Sequence, residues 1–380
     1  MSEASRLSRR WLLGVGGAGA AALLGGGSRP STAAETSAGD ALVSADGSYP
    51  MLPLRRDVIA ASAVQSRMLA VDPASPKKGL AANLAHMLDQ IDAVQSYFGA
   101  KDLLSFHEFI LQGWDRWDRR QIERLAIDVP GEQTEAIGKK AREHKCYITF
   151  GGYARLADWP GHLIDLMVIV GPTGEVIGKH WKARNLRSDR EGADYFTTTV
   201  YDVYDQYVEK YGIDETIPVT RTDIGNITVS SVLREPELFR VMAMKGAEIF
   251  VRSGLGGYSW EDGSAVSRYN RAFTLFMSNA LSPGNKGFFE DNNMLGRTTI
   301  FDTRGEALGE AGKHETAVNG LLRMGERRAS PRMPDVYWPL YKPFYDQYQS
   351  RFTPNAYASY RASDLADASR HIRTTRRWKM

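Results

Sequence analysis

Cysteine is nearly missing from this chain: Cys146 is the only one among 380 residues. One thiol cannot close an intramolecular disulfide, so no cross-linked framework organises the fold. There is no glycine-rich phosphate loop and no paired-cysteine metal pattern. The histidines His86, His107, His144, His162, His180, His314 and His371 are scattered without metal-ligand spacing. No cofactor and no metal are therefore expected. Net charge is scarce as well. The formal charge is +3, and Arg6, Arg9, Arg10 and Arg29 against Glu3 account for all of it within residues 1–34. A neutral remainder gives no electrostatic footprint for nucleic acid.

What the N-terminus does contain is a pattern. Ser8-Arg9-Arg10-Trp11-Leu12-Leu13 is a twin-arginine motif followed by a Gly/Ala/Leu run to about Gly27. The run is too short and too glycine-rich for a stable membrane span, and Ser31-Thr32-Ala33-Ala34 offers small residues to a signal peptidase. Residues 1–34 therefore read as a twin-arginine signal peptide, which implies a periplasmic or secreted protein. A disordered basic arm or an uncleaved anchor are the alternatives. Residues 35–53, rich in Ser, Ala, Gly and Asp, read as a linker.

The body, residues 54–330, alternates strands and helices. Strands are expected over residues 58–64, 103–109, 147–153 and 166–170, and helices over 81–98 and 133–144. Pro172-Thr173-Gly174-Glu175 is a hairpin turn, with residues 176–181 returning as the partner strand. Ile227-Thr228-Val229-Ser230 reads as the end of a buried strand. Pro236 then suits a first helical position, Leu238, Val241 and Met242 form an apolar stripe, and Gly246 suits a helix stop. With a following strand at Ile249–Val251 this is a βαβ unit, which displays a side chain at the strand end. Ser230 occupies that end. A helix over 264–273, a strand over 274–281 and a second hairpin over 296–308 complete a layered α/β body. Residues 331–380 change character. Tyr337, Trp338, Tyr341, Phe344, Tyr345, Tyr348 and Phe352 alternate with prolines, an arm expected to lay aromatic anchors on its own domain or a neighbouring subunit. The basic end from Arg370 to Lys379 reads as a solvated tail.

Three polar residues stand at expected strand ends. Glu108 can act as a general base, Lys182 can stabilise an oxyanion, and Ser230 can be a nucleophile. Each taken singly also fits an ordinary surface or turn position. Together their contexts resemble the nitrilase superfamily, the carbon–nitrogen hydrolases. Phe106-His107-Glu108-Phe109 with Gly113 is similar to the segment of the family's catalytic glutamate. Gly178-Lys179-His180-Trp181-Lys182 is similar to that of its catalytic lysine. Leu233-Arg234-Glu235-Pro236-Glu237 is similar to the second half of its nucleophile motif, and residues 243–252 resemble the aliphatic amidase and formamidase branch. The resemblance covers about residues 58–324.

At the centre the chain departs from the family. The family's cysteine stands six residues before the motif proline, where this chain has Ser230. The acidic residue usual two places later is here Val232. A hydroxyl is far harder to deprotonate than a thiol, whose ordinary pKa is about 8.5. Glu191, in the loop after Lys182, falls roughly where family amidases carry a second glutamate. The resemblance implies a four-layer αββα sandwich, amide or nitrile hydrolysis, a small amide- or nitrile-like substrate and a homo-oligomer. The alternative is a non-catalytic member that binds a small ligand or serves as a structural subunit. Tyr153, Tyr258, Trp260 and Phe273 are candidates to line the pocket, and Cys146 reads as a small buried hydrophobe.

Overall fold

The structure is a computed structural model that describes residues 42–97, 99–185, 195–255, 260–285 and 296–378. Two sheets stack face to face with helices on both outer surfaces, the four-layer αββα arrangement. The first half of the chain builds the larger sheet. Strand β1 (Val58–Gln65) leads into helix α1 (Pro76–Tyr97) and strand β2 (Leu103–Phe106). Helix α2 (Arg119–Leu125), the two-residue strand β3 (Ile127–Asp128) and helix α3 (Glu132–His144) follow. Strands β4 (Tyr147–Arg155), β5 (Ile164–Val170) and β6 (Val176–Trp181) run on as a meander. After helix α4 (Tyr204–Tyr211), the second sheet opens with β7 (Ile227–Ser230), α5 (Pro236–Met244) and β8 (Ile249–Ser253). It continues through α6 (Trp260–Asn270), β9 (Phe273–Met277), β10 (Thr299–Phe301) and β11 (Ala307–Glu310). Strand β12 (Thr316–Arg323) returns to the first sheet, and helices α7 (Met324–Arg328), α8 (Trp338–Tyr345) and α9 (Leu365–Thr374) end the chain.

The larger sheet has the order β12-β1-β2-β4-β5-β6, with β3 beside β4; the smaller is β11-β10-β9-β8-β7. Both sheets are mixed: β1, β2 and β4 run parallel, while the β4–β5–β6 meander is antiparallel. Strands buried on both faces read as continuous apolar runs, and the pleat sorts their side chains by alternation. Leu103, Tyr147, Met167 and Ile169 point between the sheets, against Val229, Val251 and Leu275. Their neighbours Leu104, Ile148, Leu166 and Val168 point outward onto Met87, Ile91 and Val94 of α1 and Ile137 and Ala141 of α3. On the far side Phe239 and Met242 of α5 and Val266 of α6 cover Phe250. The βαβ unit is present: β7 and β8 pair in parallel, Pro236 opens α5, and Gly246 follows it with φ +85°.

Several boundaries differ from the sequence expectation. Helix α1 starts five residues early because Pro76 nucleates a first turn that has no apolar stripe. Strand β2 stops at Phe106, so residues 107–109 lie in a turn with Phe109 at φ +59°. Helix α6 spans Trp260–Asn270, and β9 is shorter than expected. The basic end is not a loose tail: Asp364 caps α9 by accepting from the Asp367 amide, and the chain then pairs Arg376 with Phe352. The arm divides in two. Phe352, Tyr357, Ala368 and Ile372 are buried beside Phe109, Trp114 and Trp117, whereas Tyr337 and Phe344 of the aromatic stretch are 71% and 76% exposed in the single chain. Among the described residues no helix is long and apolar enough to cross a membrane.

Candidate active site

The site forms where the C-terminal ends of β2, β6 and β7 meet across the two sheets. Glu108 sits two residues beyond β2, and its turn is held tightly against β4. The Phe109 amide donates to Gly151 O (3.2 Å) and the Gly113 amide to Phe109 O (2.8 Å). A Cβ on Gly151 would stand 2.5 Å from Met167 Sδ and just touch the Cα of Glu108 at 3.4 Å, so a side chain there would displace Met167 beneath the turn. Gly113 has φ +67° and its Cβ would lie 2.3 Å from Leu69 O, which only glycine accommodates.

Lys182 follows β6 directly, and its amide donates to Asp165 O at 2.9 Å, extending the β5–β6 ladder by one pair. Its ammonium donates to Glu108 Oε1 at 3.0 Å and to Asp165 Oδ2 at 2.8 Å. All three side chains are nearly inaccessible, at 12%, 6% and 2% exposure. Burial, followed by the Asp165 carboxylate beside it, pushes Glu108 up from 4.5 to about 8. For Lys182 the two carboxylates outweigh burial and hold the ammonium charged well above the usual lysine range. The Lys182 ammonium also lies 5.6 Å from the Tyr195 ring centre.

Ser230 ends β7. It is 5% exposed and its Oγ accepts the Val232 amide at 3.2 Å. The cavity of about 100 Å³ above Glu108, Asp165 and Lys182 is lined by Tyr153, Tyr195, Ser231 and Val232, with Ser231 rather than Ser230 at its wall. Two arginines pin the turn between Ser230 and α5. Arg184 donates to Leu233 O at 3.0 Å and pairs with Glu235. Arg252, fully buried under the Phe239 ring, donates to Val232 O at 3.0 Å and to Asp262 at 2.7 Å. His180, one strand residue from Trp181, reaches across the sheets and accepts the Val229 amide at 3.1 Å on Nδ1. Burial depresses this imidazole to about 3, which keeps it the neutral acceptor that β7 needs. Ser253 Oγ likewise donates to Phe106 O at 2.8 Å, tying the end of β8 to the end of β2.

Of the residues singled out from sequence, Glu108 and Lys182 are in direct contact. Ser230 stands one residue before the cavity wall, and Glu191 lies outside the described residues. Tyr153 lines the cavity, Trp260 packs on Phe301 with ring centres 5.0 Å apart, and Phe273 belongs to the inter-sheet core; Tyr258 lies outside the described residues. Cys146 is fully buried in the outer core, where burial pushes its thiol up to about 12. Asp165 and Tyr195 were not anticipated. Asp165 was open to inference, since counting back along the Gly174 hairpin from Lys182 sets the two opposite each other.

Residues 61–321 match the carbon–nitrogen hydrolase family, more than half the chain. The protein belongs to that family. Formamidase from Helicobacter acinonychis (strain Sheeba) is 24% identical over 188 residues, which is 48% of this chain and about half, 49%, of that relative. Among solved structures, the NitFhit protein of C. elegans superposes with a TM-score of 0.56 at 13% identity, covering 78% of this chain and 66% of that one. The amidase of Nesterenkonia sp. AN1, a double mutant in complex with acrylamide, gives 0.54 at 15% identity, covering 77% and 99%. At these identities the likeness is one of fold.

Proposed function

We propose that the protein is an amide hydrolase in which Ser230 takes the place of the family's cysteine. The observation that carries the reading is the buried contact of Lys182 with Glu108 at the mouth of the β7–α5 turn. Ionised Glu108 accepts the Ser230 proton as Oγ attacks the substrate carbonyl, and the Lys182 ammonium stabilises the oxyanion that forms. Collapse breaks the C–N bond, and the amine leaves with the proton from Glu108. Water then attacks the acyl-serine, gives its proton to Glu108, and releases the acid as Ser230 recovers that proton. A nitrile is the alternative substrate; addition of Ser230 Oγ to its carbon gives an imidate, which takes up one water before the C–N bond breaks and a second in deacylation. Because the base must be ionised, turnover rises with pH up to about 8. A mutant of the Nesterenkonia amidase is described with the acetamide moiety of fluoroacetamide added covalently at its active-site cysteine, which supports a nucleophilic side chain in a site of this fold.

A second reading, a non-catalytic member that binds a small amide or acts as a structural subunit, is favoured by one observation: the Ser230 hydroxyl accepts the Val232 amide. Hydrolysis of short aliphatic and aromatic amides and nitriles by the parent, Ser230→Ala, Ser231→Ala and Ser230→Cys separates the two. Activity lost only in Ser230→Ala supports the serine hydrolase, whereas silence in the parent with activity in Ser230→Cys supports the binder. Arg9-Arg10 and the small residues 31–34 support export by the twin-arginine route, and the exposed aromatics of α8 support a homo-oligomer. N-terminal sequencing of the exported protein and its mass in solution test these two points.

A further inference from the structure

The floor of the cavity holds two carboxyl groups and one ammonium. Both carboxyls reach the same Lys182 Nζ, at 3.0 and 2.8 Å. The strand register fixes this arrangement: β4 and β5 pair Tyr153 with Asp165, and the next strand sets Lys182 opposite Asp165. Two ionised carboxylates would leave one negative charge without a counterion in a site of about 100 Å³, an arrangement that buried sites avoid by retaining a proton. The other groups facing the pair do not supply that counterion. Arg184 lines the cavity but pairs with Glu235. Tyr153 is held as a neutral phenol by burial, and Tyr195 offers the ammonium its ring. His107, whose Nδ1 meets Glu108 O at 2.6 Å, is kept neutral by burial. Asp165 Oδ1 is buried and finds no donor among the described residues. The two carboxyls are close enough for a protonated Glu108 to donate to Asp165.

We propose that Asp165 is a positioning residue that keeps Glu108 a neutral carboxylic acid at rest, so that the site gains its base only when the proton held between the two carboxyls departs. The proposal rests on Glu108 being the base of the reaction above. A hydroxyl nucleophile needs a stronger base than a thiol does, and a carboxylate that holds its proton tightly is the stronger base once ionised. Asp165 thereby compensates for the harder nucleophile.

The test follows the carboxyl carbons of ¹³C-glutamate-labelled full chain by NMR from about pH 5 to about pH 10, with Glu108→Gln used for assignment. The expected result is one glutamate titrating near 8, absent in Glu108→Gln and moved downward in Asp165→Asn. In Asp165→Asn, hydrolysis at pH 6 relative to pH 9 rises by about tenfold or more, as expected for a base freed by at least one pH unit. Glu108 titrating in the ordinary carboxylate range, or at the same midpoint in Asp165→Asn, overturns the proposal. Should Asp165→Asn fail to fold, the parent titration against Glu108→Gln decides alone. A parent inactive on every amide whose Glu108 still titrates as expected keeps Asp165 as the residue that holds Glu108 protonated and overturns the hydrolase reading, and with it the role of Glu108 as base.

Discussion

Replacing Glu108 by glutamine should make the protein more stable, and by an amount that grows with pH. Glutamine is the uncharged isostere of the protonated acid. Its amide oxygen can accept from Lys182 Nζ and its NH₂ can donate to Asp165. In the parent, Glu108 titrates near 8 when folded against 4.5 ordinarily. The folded state therefore binds more protons than the unfolded state between these values, and stability falls as pH rises through that window. At about 1.4 kcal/mol per pH unit the ceiling is about 5 kcal/mol, of which roughly 3 kcal/mol falls between pH 5.5 and pH 8.5. The glutamine variant has no such titration, and all other groups cancel in the comparison. Urea unfolding of both proteins at the two pH values reads the difference from the midpoints. An advantage for Glu108→Gln at pH 8.5 that shrinks at pH 5.5, with hydrolysis abolished, is the expected outcome. An equal difference at both pH values would refute the argument that a buried, unwilling carboxylate occupies the site.

His180 gives the opposite slope. Its folded pKa is depressed to about 3, so the unfolded state takes up a proton first and stability is lost as pH falls below about 6.5. By pH 4 this amounts to roughly 3 kcal/mol, and a His180→Gln variant should show a visibly shallower acid loss in thermal melts. Gly113→Ala should destabilise by about 3 kcal/mol through its left-handed φ and the collision with Leu69 O. The same change should lower hydrolysis further than stability alone predicts, because the turn it distorts carries Glu108; melts and rates on one preparation check both.

How much of this was legible beforehand depends on where information is local. The β7–α5 unit was readable because proline, the apolar stripe and Gly246 act within one turn of each other. The hairpin around Gly174 was readable for the same reason, and it placed Lys182 correctly. Asp165 was missed because its meaning lies in register, not in its own neighbourhood. Strand β12 was missed because it pairs with β1, more than 250 residues earlier. The cross-sheet bonds from His180 and Ser253 depend on two sheets stacking, which no local pattern announces. Helix α9 was overlooked because Arg370 and Arg373, followed by Arg376 and Arg377, masked the Asp364 cap, although the buried Ala368 and Ile372 hold it to the cluster beside the site.

Acylation within one turnover tests directly whether Ser230 is the nucleophile. An activated ester such as p-nitrophenyl acetate, mixed with the parent and quenched within the first turnover, allows the acylated residue to be located by peptide mass spectrometry. A single acyl group on Ser230, formed faster at pH 8.5 than at pH 6 and absent from Ser230→Ala, is the expected result. An acyl group on Ser231 or Cys146, or none on any residue, would contradict it.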